Sequence, residues 1–468
     1  MAKKNISVDV AVIGAGTAGL VAVSQIMKTT QNIVLIQDGP MGTTCARVGC
    51  MPSKVLIQTA DDFYRRGFFD KKGIQGADGL KLDSAAVMRH VRAMRDHFAG
   101  SMVGKTTRYG ERLILGQARF IDSNCLDVDG TRIEAKTIII ANGSRPDIKP
   151  EWRDLDGRVL TSDTLFEIGE LPASLAVIGM GVIGVEMGQA LARLGVEVVG
   201  IARSGRIAGL SDPKITGAAA ENLEQDLELW SGHAADLAAH GDGLLVTAGP
   251  KKKQVAAALV STGRVPNVDN LGLEKLGIPL DARGIPLHDP DTLQVGNLRL
   301  FIAGDTSGRE PILHEAWDDG RVAGYNATRQ DPAGFKRRVP LHITFSEPNI
   351  AVAGRRFKDL EQDSFVVGRC KFSDGRALIR DQNRGLLHVY ADVETGRLLG
   401  TEMCAPDGEH LAHLLAWAIQ QGLSVFDVLK MPFYHPMLEE NLRDALKHAA
   451  SRVQEKPHFP EMAFCEKK

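Results

Sequence analysis

Cys45 and Cys50 stand five positions apart in "GTTCARVGCMPSK", with Gly49 before the second cysteine and Pro52 just behind it. A pair so placed offers three kinds of chemistry: a structural staple, part of a metal site, or a couple that cycles between dithiol and disulfide. In an undistorted helix, residues at this spacing have Cα atoms roughly 8 to 9 Å apart, beyond the limit of about 7 Å for a disulfide. The segment must therefore bend if the pair is to close. Gly49 permits the bend, and Pro52 suits the first turn of a following helix. Cys50 then sits at the positive end of that helix, where thiolate, the species active in exchange, is favoured. A zinc site needs further Cys or His ligands at short spacing, and the neighbouring sequence holds none, so no metal is expected. Two buried thiols with a packing role are the plain alternative. The glycine and proline context favours redox cycling.

A redox pair needs an electron partner, and the chain carries two motifs that suit one. The apolar run 8–13 reads as a buried strand leading into Gly14-x-Gly16-x-x-Gly19, a helix ending near residue 27 and a second strand at 33–36. The arrangement recurs at 175–178, with Gly179-x-Gly181-x-x-Gly184, an amphipathic stretch to residue 194 and a strand at 196–201. In such units the first glycine allows a tight turn, the second lets backbone approach a pyrophosphate, and the third lets helix and strand pack closely. Amides at the helix N-terminus hold the anion. One motif alone often serves a turn only; two in full strand-turn-helix-strand context predict two dinucleotide sites. The runs "TIIIANGSRP", closing at Gly143, and "ALVSTGRVPN", closing at Gly263, read as a last strand returning to each site.

Helical stretches are expected at 53–66 and 84–98, and the composition changes at Pro340, after which strands precede helices. The fold class is therefore α/β, with two Rossmann-like dinucleotide-binding domains and a C-terminal α+β domain. The expected boundaries are 1–150 with 269–338, then 151–268, then 339–468. The Lys251, Lys252, Lys253 run, following Gly249 and Pro250, reads as decoration of a solvated hairpin turn.

Bulk composition agrees. A chain of 468 residues exceeds what a single core usually supports. Its 44% hydrophobic and 24% charged residues fit packed domains rather than disorder. A net charge of -2 gives no basic surplus for binding nucleic acid. No segment approaches the roughly 18 uninterrupted apolar residues of a membrane span, so no membrane partner is expected. The first apolar run contains Asp9 and flows into a glycine motif, as a strand does and a signal peptide does not. Six cysteines are sparse for this length, which points to a cytoplasmic setting.

The chain resembles the FAD-dependent pyridine nucleotide-disulfide oxidoreductases over nearly its whole length, most closely the dihydrolipoamide dehydrogenase branch. The pattern G-G-T-C-x-N-x-G-C-x-P-S-K is matched by "GTTCARVGCMPSK", with Thr43 and Arg47 as departures. "ANGSRP", "STGRVPN", "AGD" ending at Asp305, "FSEPNIAVAG" and "HPMLEE" match further family segments. The resemblance implies FAD at Gly14, Gly16, Gly19, Gln37, Asp38, Thr44, Gly143 and Asp305. It implies NAD(H) or NADP(H) at Gly179, Gly181, Gly184, Arg203 and Gly263. It further implies Cys45 as the sulfur exchanging with substrate, Cys50 as the one contacting flavin, and Lys54 with Glu186 as an ion pair beside the flavin. His435 would be the acid-base group, oriented by Glu440 and reaching the partner subunit's site, so a homodimer is implied. By themselves, His435, Pro436 and the two glutamates read as a plain helix start with proline at its first position.

Two departures bear on the coenzymes. Gln37, followed by Asp38, stands where an acid usually grips the adenosine ribose of the first nucleotide. In the second unit the acid that selects NAD is replaced by Ala202, with Arg203 and Arg206 following, which would suit a 2′-phosphate. Cys465 is a lone cysteine near the C-terminus and is read as incidental. The leading expectation is a dihydrolipoamide dehydrogenase-like enzyme acting on a small dithiol or disulfide, including the lipoyl group of a 2-oxoacid dehydrogenase complex. The alternatives are an NADPH-dependent reductase of a small disulfide or metal ion, and a non-catalytic flavoprotein subunit.

Overall fold

The structure is a computed structural model, and it describes residues 5–155 and 157–456. Cys465 lies outside the described residues.

The chain divides into two compact units, each drawn from three stretches. The first comprises Met1–Pro52, Arg89–Asp147 and Gly263–Arg337. Its sheet is built on strand Asn5–Ile13, which pairs in parallel with Ile33–Gln37 on one side and Thr131–Ile140 on the other. Leu113–Leu115 and Leu300–Ile302 extend the parallel set at its two sides. A strand covered on both faces must be apolar throughout. Val10 and Val12 accordingly enter one core, and Ala11 and Ile13 enter the other. Helix Thr17–Ile26 crosses helix Leu313–Ala327 on one of these faces. Gly320 and Gly324 make the crossing possible, because a Cβ on either would stand 2.4 Å from Ala18 O or 2.6 Å from Ala22 O.

The second unit comprises Ser53–Met88, Ile148–Thr262 and Arg338–Lys468. One sheet is parallel, with Ser174–Ile178 between Glu197–Ala202 and Ala257–Val260. Beside it lies the antiparallel meander Ala235–His240, Gly243–Ala248 and Lys251–Val255. The lysine run opens the last of these strands instead of decorating the turn, which is formed by Gly249 and Pro250. Lys253 Nζ reaches Glu197 at 2.8 Å and Glu228 at 3.0 Å, and these two acids hold the basic run in the sheet. A second, five-stranded antiparallel sheet contains Asn349–Gly354, Leu398–Ala405 and Leu386–Asp392. Helices Gly408–Gln420 and Glu439–Ala450 cover it, burying Leu411, Leu415, Leu442 and Leu446 in one core.

Candidate active site

The first glycine loop lies between Asn5–Ile13 and helix Thr17–Ile26. Gly14 has φ +104°, and a Cβ there would stand 2.4 Å from Ala141 O. A Cβ on Gly19 would stand 1.8 Å from Gly14 O. Gln37 closes the loop: its Oε1 accepts the Ala15 N–H at 2.7 Å, and its Nε2 donates to Asp38 O at 2.6 Å. Asp38 itself is exposed.

Gly143 and Asp305, distant in sequence, come together in this unit. The Gly143 N–H donates to Thr306 Oγ1 at 2.6 Å, and Ser144 Oγ donates to Asp305 Oδ2 at 2.7 Å. Arg264 Nε donates to the same Ser144 hydroxyl at 2.8 Å. Asp319, buried on helix Leu313–Ala327, accepts the Gly304 N–H at 2.9 Å and fixes the turn that carries Asp305. Ser144, Thr306 and Asp319 escaped the sequence reading, since no short motif marks a residue that acts by bracing another.

The cysteines flank a helix break. Helix Thr44–Val48 ends at Gly49, whose φ of -125° and ψ of -117° leave the helical region, and Cys50 opens the 15-residue helix Cys50–Tyr64. A Cβ on Gly49 would stand 3.2 Å from Cys45 Cα and 3.1 Å from Thr44 O, so glycine lets the two turns fold this closely. Thr43 caps the first turn: its Oγ1 accepts the Ala46 N–H at 3.3 Å. It does so with φ +62°, a conformation that disfavours a β-branched residue. Cys45 is half-buried and Cys50 exposed. Burial pushes up the thiols of Cys125 and Cys370, and that of Cys404 to about 12. Those three are poor sources of thiolate.

In the second unit, helix Val182–Arg193 carries Glu186, only 4% exposed. Its carboxylate takes Lys54 Nζ at 2.8 and 3.0 Å and the Phe345 N–H at 3.0 Å. The Lys54 ammonium also lies 4.4 Å from the Phe345 ring centroid, within cation–π range. The second glycine loop repeats the first. A Cβ on Gly179 would stand 2.6 Å from Ser261 O, and one on Gly184 1.9 Å from Gly179 O. Strand Glu197–Ala202 ends in buried Ala202, and Arg203 and Arg206 follow it exposed. Gly263 begins the return of the chain to the first unit, where its carbonyl accepts the Asp147 N–H at 3.0 Å.

His435 Nδ1 pairs with Glu440 Oε2 at 2.9 Å, and the Met437 N–H donates to the same oxygen at 3.3 Å. Desolvation works against ionisation of Glu440, but the hydrogen bonds from His435 and Met437 prevail and hold its carboxyl below the usual range. Pro436 is not the first residue of a helix. The helix is Glu439–Ala450, and the His435–Pro436 peptide is cis and lies outside it. The acids alone occupy the first turn.

Residues 8–320 match the sequence model of the pyridine nucleotide-disulphide oxidoreductases, and residues 341–446 match that family's dimerisation domain. The chain belongs to this family. The dihydrolipoyl dehydrogenase of Geobacillus stearothermophilus is 29% identical over 457 residues, 95% of this chain and 96% of that one. The mercuric reductase of Staphylococcus aureus is 28% identical over 436 residues, 90% of this chain and 78% of its own. In fold, the oxidoreductase resembles the Cu(II) complex of RclA, an HOCl-induced flavoprotein disulfide reductase from Escherichia coli. That structure has a TM-score of 0.82 and 22% identity, and the match covers 96% of this chain and 99% of RclA.

The family's cofactors are FAD and NAD(P)H. The residues present fit such groups, and the middle glycines make the point. Gly14, Gly19, Gly179 and Gly184 are required by the protein's own packing. A Cβ on Gly16 would meet nothing nearer than 3.9 Å, and one on Gly181 nothing within 4 Å. Neither has positive φ. Each is the N-cap of a helix whose first amides receive no side-chain cap. What needs glycine there is an outside group lying against the backbone, and uncapped helix amides suit a phosphate. Among the described residues no helix is long and apolar enough to cross a membrane, and no group of three or more His, Cys, Asp or Glu residues could hold a metal.

Proposed function

We propose that this oxidoreductase is a homodimeric, cytoplasmic enzyme that moves electrons between a small substrate dithiol, the Cys45 and Cys50 pair and NAD(P), in the manner of dihydrolipoyl dehydrogenase. The observation carrying this reading is the break at Gly49, which sets Cys50 at the head of a helix immediately after the turn holding Cys45. The cytoplasmic assignment rests on sparse cysteine usage, and the homodimer on the dimerisation-domain match.

In the forward direction one substrate thiolate attacks Cys45 Sγ of the oxidised pair, the S–S bond breaks, and Cys50 leaves as thiolate. The second substrate thiolate attacks the substrate sulfur of the mixed disulfide, and Cys45 leaves. Two electrons have then passed to the cysteines and two protons have left the substrate. His435 takes up one of them at Nε2, because Glu440 holds the Nδ1 proton and stabilises the imidazolium, and the other passes to solvent. The first amides of helix Cys50–Tyr64 favour the Cys50 thiolate. Gly14, Gly16, Gly19, Thr44 and Asp305 would hold FAD, which would supply two-electron transfer from the cysteine pair to the nicotinamide. By the family resemblance, Lys54, held by Glu186, would belong to the ion pair that serves the flavin. The test is Cys45→Ser, which should abolish dihydrolipoamide-dependent reduction of NAD or NADP while flavin is retained. Unchanged turnover would end the proposal.

A second reading has a specific observation in its favour. Exposed Arg203 and Arg206 after Ala202 suit NADPH, and hence a reductase of a small disulfide or a metal ion. Faster flavin reduction by NADPH than by NADH, lost in Arg203→Ala, would favour it.

A further inference from the structure

Glu402 lies on strand Leu398–Ala405 and is 0% exposed, a costly place for a charge. Among the described residues, the hydrogen bonds to its carboxylate come from two loops. Oε2 accepts the Ser211 N–H at 2.8 Å and the Asp212 N–H at 2.9 Å. Oε1 accepts the Phe357 N–H at 2.9 Å and the Ser211 hydroxyl. Next to it the Arg356 guanidinium donates to Gly209 O. Asp212 is fastened in turn. Its Oδ1 caps helix Pro213–Leu223 at Lys214 N, 2.9 Å away, and its Oδ2 takes His388 Nδ1 at 2.7 Å and Tyr390 OH at 3.0 Å.

These contacts grip one end of residues 203–212, the connection from strand Glu197–Ala202 to helix Pro213–Leu223. Its other end carries Arg203 and Arg206. Between them Ala208 takes φ +48°, and its N–H donates to Met180 O at 2.8 Å, inside the second glycine loop. The antiparallel sheet is thus connected by short polar contacts to the backbone that would face a coenzyme's phosphates.

We infer that Glu402, with Arg356, is a positioning residue for the coenzyme: by clamping 209–212 it sets the place of the Arg203 loop and of the Met180 turn against the adenosine phosphate end of NAD(P)H. This rests on the reading of the second glycine loop as the coenzyme site. Glu402→Gln keeps the shape but replaces one acceptor oxygen by a donor, so at least one buried N–H or hydroxyl loses its partner. Arg356→Met releases Gly209 from outside the core.

The experiment is steady-state and rapid-reaction kinetics on the purified holoenzyme with NADH and NADPH, for wild type, Glu402→Gln and Arg356→Met. The inference predicts KM for the coenzyme raised about tenfold in each variant, with kcat and KM for the disulfide substrate within about twofold of wild type. A merely structural role would lower the melting temperature and leave the coenzyme KM where it was. Should Glu402→Gln fail to fold, Arg356→Met decides: a wild-type coenzyme KM in that variant overturns the clamp. Absence of flavin reduction by either coenzyme in the wild type would remove the coenzyme site itself, and the clamp's role with it.

Discussion

Glu440 Oε2 stands 2.9 Å from His435 Nδ1, five residues away, with the Met437 N–H on the same oxygen. This pairing fixes the imidazole tautomer and leaves Nε2 as the nitrogen that exchanges protons. His435→Gln should lower disulfide turnover by about a hundredfold or more, while flavin reduction by NAD(P)H proceeds normally. Stopped-flow kinetics separate the two half-reactions, and equal loss in both would contradict the assignment.

Glu186 tests the ion pair. Lys54→Met leaves a carboxylate that is 4% exposed with, among the described residues, only the Phe345 N–H to answer it. Because Lys54 itself is 33% exposed, the loss should fall at the low end of buried-pair values, about 3 kcal/mol. Lys54→Met with Glu186→Gln together should be more stable than Lys54→Met alone. Urea denaturation measures both, and a double variant weaker than the single would refute the account.

The sequence disclosed the glycine units because their signals are local: strand, turn and helix follow one another within about thirty residues. The bend at Gly49 was legible for the same reason. What escaped is long-range or geometric. Ser211 and Glu402 are separated by 191 residues, and neither has any feature that names the other; Lys54 and Glu186, 132 residues apart, are paired in the sequence by family resemblance alone. Pro436 looked like a helix start because proline suits that position, whereas the helix begins only at Glu439. The strand at Lys251–Val255 was hidden by its charge, which Glu197 and Glu228 balance from elsewhere.

Thr43 sits at φ +62°, ψ +148°, where glycine is at ease, and recovers part of the cost through its cap on Ala46. Relief of strain should exceed loss of the cap. Thr43→Gly is expected to stabilise by roughly 1 kcal/mol, and Thr43→Val, which keeps the branching and loses the cap, to destabilise by about as much. Thermal melts in which both variants lose stability would show that the position is unstrained.

Glu347 supplies a pH dependence. Burial, which outweighs the attraction of Arg193, pushes its carboxyl from the usual 4.5 up to about 7. The folded protein therefore keeps this proton after the unfolded chain has lost it, so stability falls as pH rises from 4.5 to about 7 and then levels. Glu347→Gln should flatten that slope, a difference of at most about 3 kcal/mol across the window. Parallel slopes for the two proteins would contradict it.

The central claim is that Cys45 and Cys50 form a redox couple in electronic communication with the flavin, and an anaerobic reductive titration of the purified flavoprotein tests it most directly. A flavin accepts two electrons and a disulfide two more. Wild type should consume about four electrons per flavin and Cys45→Ser about two, each counted from the absorbance end point. An uptake of two electrons by the wild type, with no difference from Cys45→Ser, would mean that the pair takes no part in the chemistry.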